Sequence, residues 1–308
     1  MKIIIFGGTG LVGSSIRLNS FFTKQQLFCP SSKVVNATNY SEVENYISKI
    51  KPDLVINSAG LVGGILINSK NHLNFLLTNL DIGKNILVAS KFNKIKKLIN
   101  LGTSCMYPAN IYSRDITEND LLNGPLEKTN EGYALAKILV SKIAEYISRE
   151  NDYDYKTIIP CNLYGPFDKF EIERSHLIPA IINKIHYAKI NKLNNVSIWG
   201  TGKVRREFMY SKDVASFIEF SIKNWLKIPS IINLGLGYDY SVKEYYEIVA
   251  KALNWDGSFS FDSSMPDGMK NKLMDISNLK KLNWKINYEL EKGILETYEY
   301  YKKLVSIN

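Results

Sequence analysis

Tyr133 and Lys137, four residues apart in the segment YALAK, are the pair best suited to chemistry in this 308-residue chain. A separation of four puts both side chains on one face of a helix. A lysine ammonium beside a phenol stabilises the phenolate and lowers the tyrosine pKa, which makes Tyr133 a candidate acid–base group near neutral pH. The same ammonium is able to hold a ribose. Such a pair often arises by chance. Its weight here comes from Thr103, 30 residues upstream at the end of an apolar run, and from a glycine turn near the N-terminus.

That turn is Gly7, Gly10 and Gly13, G-x-x-G-x-x-G directly after KIIIF. Glycine permits the tight turn, the approach of backbone amides to a pyrophosphate, and close helix–sheet packing. The helix that follows offers its free N–H groups and positive dipole end to an anion. Gly7, Thr9, Gly10, Leu11, Val12 and Gly13 are therefore expected to face a dinucleotide; the plain alternative is a glycine-rich turn without a ligand. Sites that prefer NAD place Asp or Glu about 20 residues further on, against the ribose hydroxyls. Here Leu27 to Lys33 reads LFCPSSK, with no carboxylate. Serines and a lysine tolerate a 2′-phosphate, which favours NADP(H), although no arginine stands in that stretch to clamp it.

These residues need a scaffold, and the hydrophobic pattern supplies one. Residues 2–6 read as a buried strand feeding a helix. Similar strand-to-helix units follow: residues 33–37 lead as a strand to a helix near 41–50, 53–58 form a strand, and 71–92 a long helix. Residues 97–103 form a strand, 131–150 a helix, and 155–161 a further strand. Alternating strands and helices predict an α/β, Rossmann-type doubly wound parallel sheet. After Pro166 the rhythm changes. A charged loop leads to a helix from about 177, a strand at 196–199, a GTG turn and short mixed elements. The expected division is a dinucleotide-binding domain of 1–166 plus about 204–235, and a smaller α/β substrate domain of about 167–203 plus 236–308. Asp213 is expected to be a helix N-cap.

Composition narrows the class. Hydrophobic residues at 45% and charged residues at 22% suit a globular protein and argue against disorder. No apolar stretch approaches 18 residues, so no membrane helix is expected. The apolar part of the opening MKIIIFGG is too short for a secretory signal. Cys29, Cys105 and Cys161 are scattered, without a CxxC, and only three histidines are present. That predicts a reducing, cytoplasmic setting and no metal site. The net charge of +9 reflects heavy use of lysine, and no block of five like charges occurs. A phosphorylated ligand fits it, and nucleic-acid binding is not expected.

A family resemblance carries the reading further. The glycine turn, the strand-end hydroxyl and YxxxK look like an extended short-chain dehydrogenase/reductase. More specific are Gly102-Thr103-Ser104-Cys105-Met106-Tyr107-Pro108, LVGGI (61–65), KTNEGYALAK (128–137), NLYGP (162–166), SHLIPA (175–180), WGTGKVRREF (199–208) and PDGMKNKLMD (266–275). Together they resemble the GDP-L-fucose synthase family across nearly the whole chain. The resemblance implies an NADPH-dependent 3,5-epimerase and 4-reductase of a GDP-4-keto-6-deoxy sugar. The alternative is C4 reduction alone, on a GDP-linked heptose or other ketosugar. Cys105 and His176 would shuttle protons beside the ketone, and Thr103, which replaces the family's serine, keeps its hydroxyl. A dehydratase of the same superfamily would carry Thr-Asp-Glu where Thr103-Ser104-Cys105 stands. Leu101, Gly102, Thr103, Ser104, Pro160, Asn162, Leu163 and His176 would line the cofactor with Tyr133 and Lys137. Asn162, Lys184, Trp199, Arg206 and Asp267 would hold the substrate, Arg206 at its pyrophosphate. The helices at 71–92 and 131–150 would form a homodimer interface.

Overall fold

The computed structural model describes residues 1–111, 115–150, 152–171, 175–265 and 272–306. The first part of the chain builds one sheet and its helices: β1 Lys2–Phe6, α1 Leu11–Leu18, β2 Gln26–Phe28, α2 Tyr40–Ile50, β3 Leu54–Asn57, α3 Ile65–Asn68, α4 His72–Phe92, β4 Lys97–Leu101, α5 Glu131–Glu150 and β5 Asp154–Pro160. Then come β6 Asn162–Tyr164, α6 Leu177–Ile190, β7 Asn195–Trp199, β8 Arg205–Arg206, β9 Phe208–Tyr210, α7 Ser211–Lys223 and β10 Ile231–Leu234. The chain continues through β11 Tyr240–Ser241, α8 Val242–Ala252, β12 Ser258–Asp262, α9 Ser277–Lys281 and α10 Leu290–Ser306.

The main sheet has six strands in the order β10-β5-β4-β3-β1-β2, every pair parallel. The KIIIF run is buried on both faces, as a central parallel strand requires. Successive side chains alternate between two cores. Ile3, Ile5, Leu54, Ile56, Ile99 and Ile158 join the core shared with α1 and α7. Ile4, Phe6, Val55, Leu98 and Tyr155 join the core under α2, α4 and α5. A polar ladder crosses the sheet below its C-terminal edge. Asn57 Nδ2 donates to Asn100 Oδ1 (2.9 Å), and Asn100 Nδ2 reaches Thr157 Oγ1 (3.5 Å). A third core gathers α6, α8 and α10 with β7 and β9.

Most expected elements appear within two residues of their limits, including the helices at 41–50, 71–92 and 131–150. Two expectations need correction. Residues 33–37 hold no strand: the second strand is Gln26–Phe28, and the Val34 and Val35 amides both turn back onto the Ser31 carbonyl. Asp213 is not a cap either, since Tyr210 occupies that position. Asp213 lies buried in the first turn of α7, where its carboxylate accepts the Asn287 amide at 2.8 Å and burial raises its pKa to about 6. It ties the C-terminal segment to the sheet. Met274 and Leu279 likewise pack into the sheet core from that segment.

Helices α4 and α5 pack extensively against each other, and Gly83 allows it. A Cβ there would stand 2.3 Å from Val140 Cγ2, on a buried, β-branched side chain with little freedom to move. Gly83→Ala is therefore expected to cost about 1–3 kcal/mol through overpacking, read as a lower midpoint in urea unfolding.

Candidate active site

The C-terminal edge of a parallel sheet is where ligands bind in folds of this kind, and the expected residues converge there. The glycine turn leaves β1 with Gly7 at φ +80°, a conformation that favours glycine. A Cβ on Gly13 would lie 2.1 Å from the Gly7 carbonyl oxygen, so the packing of α1 on the turn excludes a side chain. Gly10 differs. Its φ of −80° and ψ of 179° suit any residue, and the nearest neighbour of an added Cβ is the Gly7 oxygen at 3.5 Å. No side chain caps the α1 N-terminus. An open Gly10 beside uncapped amides fits a pyrophosphate, the part of a dinucleotide such a turn receives. Thr9 is exposed, and Leu11 and Val12 are partly so.

Thr103 follows β4 and Gly102. Its hydroxyl accepts the Cys105 amide (3.3 Å), while its own amide faces Met106 Sδ (3.4 Å), which winds Ser104–Met106 into a single tight turn. Cys105 therefore sits one short turn beyond the strand. Tyr133 comes to the same place from the first turn of α5. Thr103 hydrogen-bonds its phenol, Cys105 is an electrostatic neighbour, and Phe75 packs edge-on against its ring with centroids 6.5 Å apart. Lys137 is buried one turn further along α5 and donates from Nζ to the Leu101 carbonyl at 3.0 Å. Its ammonium lies 5.9 Å from the Tyr133 ring centre. The expected lowering of the phenol pKa is not what this geometry produces. Burial pushes Tyr133 above the ordinary tyrosine range, Cys105 adds to the rise, and the Thr103 hydrogen bond opposes it. Burial also brings Lys137 down to about 8.

The remaining positions are each held by contacts of their own. Pro160 ends β5, and Asn162 begins β6, its Nδ2 donating to the Glu207 carbonyl at 3.0 Å. Leu163 packs partly buried against the sheet core. His176 is the N-cap residue of α6, and burial, with Lys169 nearby, pushes its imidazole below the usual histidine value. Lys169 in turn donates to the Val62 carbonyl at 2.9 Å, joining the loop before α6 to the loop after β3. Lys184 stands 4.8 Å from the Trp199 ring centre and donates to the Ser197 carbonyl, so these two form a separate group on the outer layer. Arg205 is committed to Asp239 and Glu244, whereas Arg206 Nη1 donates to the Arg205 carbonyl (2.8 Å). Asp267 lies outside the described residues.

Two cations escaped the sequence reading. Lys272 has Cys105, Arg206 and Glu127 as electrostatic neighbours, and burial lowers its pKa. It thereby links the Cys105 turn to the Arg206 strand, and only the fold brings residues so distant in sequence together. Arg17 is the other, near the end of β2. Among the described residues no group of three His, Cys, Asp or Glu side chains is placed to hold a metal ion, and no helix is long and apolar enough to cross a membrane.

Residues 3–235 match the model of the NAD dependent epimerase/dehydratase family. The chain belongs to that family. It is 46% identical over 302 residues to a GDP-L-colitose synthase of Yersinia pseudotuberculosis, covering 98% of each chain. It is 45% identical over 300 residues to a GDP-L-fucose synthase of Azorhizobium caulinodans, covering 97% of this chain and 96% of that one. Among solved structures, a GDP-mannoheptose C4 reductase from Campylobacter jejuni with NADP bound superposes with a TM-score of 0.86 at 31% identity, covering 98% of both chains.

Lys137 carries its charge below about pH 8 and loses it as pH rises through that value. The affinity for reduced dinucleotide, followed by its fluorescence, should fall along an alkaline limb near pH 8, and Lys137→Arg should remove that limb.

Proposed function

We propose that this chain is an NADPH-dependent 3,5-epimerase and 4-reductase of a GDP-linked 4-keto-6-deoxy sugar, of the GDP-L-fucose synthase kind. The observation that carries the proposal is the meeting of Tyr133 with Thr103 and Cys105, one helical turn from Lys137 and its contact with Leu101. A phenol able to give a proton stands beside a cysteine that, as thiolate, is able to take one. The relatives at 45–46% identity support the sugar class, and the solved reductase with NADP bound supports the cofactor.

The turn from Gly7 to Gly13, with Leu101, Gly102, Ser104, Lys137, Pro160, Asn162, Leu163 and His176, would hold NADP(H). When bound, NADPH supplies the hydride for C4. A C4 ketone acidifies C3 and C5. Cys105 removes a proton there and His176 returns one on the opposite face, while Thr103 and Tyr133 hydrogen-bond the enolate oxygen. Tyr133 then protonates the C4 oxygen as the ketone is reduced. A high phenol pKa suits that step, because the donor must be neutral. Arg206 meets the pyrophosphate, where its planar fork matches two oxygens. Lys184, Trp199 and Asp267 complete the nucleotide and sugar contacts. Residues 1–166 with about 204–235 serve the cofactor, and about 167–203 with 236–308 the GDP-sugar.

A second reading is C4 reduction alone on a GDP-4-keto-6-deoxy-heptose or another GDP-4-ketosugar. The likeness to the Campylobacter reductase favours it. Turnover in D₂O separates the two. Deuterium at C3 and C5 of the product is expected. A product labelled at neither carbon, with full NADPH consumption, leaves the reductase reading. Cys105→Ala should abolish the label yet still reduce a ketosugar that is already epimerised. Tyr133→Phe should slow the reduction by about 10²–10⁴-fold.

The chain is further proposed to work as a cytoplasmic homodimer whose product, an activated sugar, serves polysaccharide assembly. The cysteines are unpaired, as a reducing compartment permits. Leu73 and Leu77 on α4 and Leu135, Leu139 and Tyr146 on α5 are exposed at helical spacing, an apolar stripe suited to a second copy. Leu139→Glu should convert a dimer to a monomer in sedimentation; a wild-type chain that sediments as a monomer removes this part of the proposal.

A further inference from the structure

The first 41 residues contain no Asp or Glu. The end of β2, where a carboxylate would accept the ribose hydroxyls in an NAD site, therefore has none to offer. It does have a cation, and that cation comes from α1 rather than from the strand. Arg17 lies in the last turn of α1 and is exposed, but its guanidinium folds back along the helix toward the glycine turn. Nη1 donates to the Gly8 carbonyl at 3.2 Å. Gly8 in turn abuts Cys29, the residue after β2: a Cβ on Gly8 would lie 2.8 Å from Cys29 Cβ. Burial raises the Cys29 thiol pKa, and the nearby Arg17 charge opposes that rise. Arg17, Gly8 and Cys29 thus form one corner between the dinucleotide turn and the end of the second strand. Glu42, the first carboxylate in the chain, is occupied with the Asn36 amide at 2.8 Å.

We propose that Arg17 is the residue that recognises the 2′-phosphate of NADP(H) in this chain, taking the place of the strand-end arginine that its sequence lacks. The corner it occupies receives the ribose farther from the nicotinamide in a sheet of this topology. A guanidinium presents five N–H donors, and the bond to Gly8 uses one of them. The others suit a phosphate bidentately. A helix-end arginine also has a purely structural use, since it complements the negative end of the helix dipole. The two roles differ in what they do to cofactor choice.

The proposal rests on the reading of the chain as an NADPH enzyme, and the test separates the two. Dissociation constants for NADPH and NADH are measured by fluorescence on the purified protein without sugar, with 2′,5′-ADP and 5′-ADP as competitors. The wild type is expected to prefer NADPH over NADH and 2′,5′-ADP over 5′-ADP. Arg17→Ala should weaken NADPH and 2′,5′-ADP by about 10- to 100-fold, the span of a charged hydrogen bond, while NADH and 5′-ADP keep their affinity. Arg17→Lys should retain part of the preference. Equal weakening of all four ligands makes Arg17 a support of the Gly8 turn and overturns the proposal. An unchanged preference for NADPH in Arg17→Ala places the phosphate contact elsewhere and also overturns it. A wild type that binds NADH as tightly as NADPH overturns the cofactor reading itself, and Arg17 with it.

Discussion

A carboxylate with no exposed surface ties the β8–β9 segment to the loop at the edge of the main sheet. Glu207 lies between β8 and β9, and its oxygens accept the amides of Leu236, Gly237 and Met274. Those amides come from the loop after β10, at the sheet's edge, and from the segment before α9. Burial raises the Glu207 pKa to about 7, against the three amides that pull it down. A buried charge of this kind is tolerated because its acceptors are filled, and it would be costly if any partner were lost. Its neighbours are the residues of interest. Arg206 precedes it, Lys272 lies two residues before Met274, and Asn162 donates to its carbonyl. The β8–β9 segment is thus joined through this side chain to the loop after β10 and to the segment before α9.

Burial also governs the chemistry at the Tyr133 cluster. A phenol and an ammonium on one helix face read, in sequence, as a pair that shares charge. In the fold, Lys137 is buried and Tyr133 half-buried, and desolvation acts on them in opposite directions. The phenol is held neutral and Lys137 is brought toward neutrality. The Leu101 carbonyl, at 3.0 Å, takes the ammonium's hydrogen bond, 5.9 Å from the centre of the phenol ring. For the proposed reduction this division is useful. The proton donor keeps its proton until an oxygen with growing negative charge arrives, and the cation stays where a ribose would meet it.

What could be read from the sequence follows the range of the interactions involved. The glycine turn, the YxxxK pair and the apolar strands are local patterns, and each appears where expected. β2 was misplaced because three residues, QLF, make too short a run to stand out, while Val34 and Val35 imitate a strand within a turn. Asp213 reads as a cap from its local context, yet its partner is Asn287, 74 residues away. Lys272 and Arg17 escaped for the same reason. Nothing near Arg17 in sequence marks it, and Lys272 stands inside the segment PDGMKNKLMD without a partner there to single it out; each acquires its surroundings only when α1 packs on the turn or the segment before α9 returns to the sheet.

The three glycines show how far a motif can be divided between fold and ligand. Gly7 and Gly13 are demanded by the chain itself, one by its positive φ and the other by the carbonyl that would collide with a Cβ. Neither requires a dinucleotide to explain it. Gly10 has ordinary backbone angles and open space where a side chain would stand. Glycine is also a better N-cap than alanine, and with no side chain at Gly10 the uncapped amides of α1 stay open to an approaching anion. Gly10 stands one residue beyond Thr9, on the same turn that Arg17 reaches at Gly8.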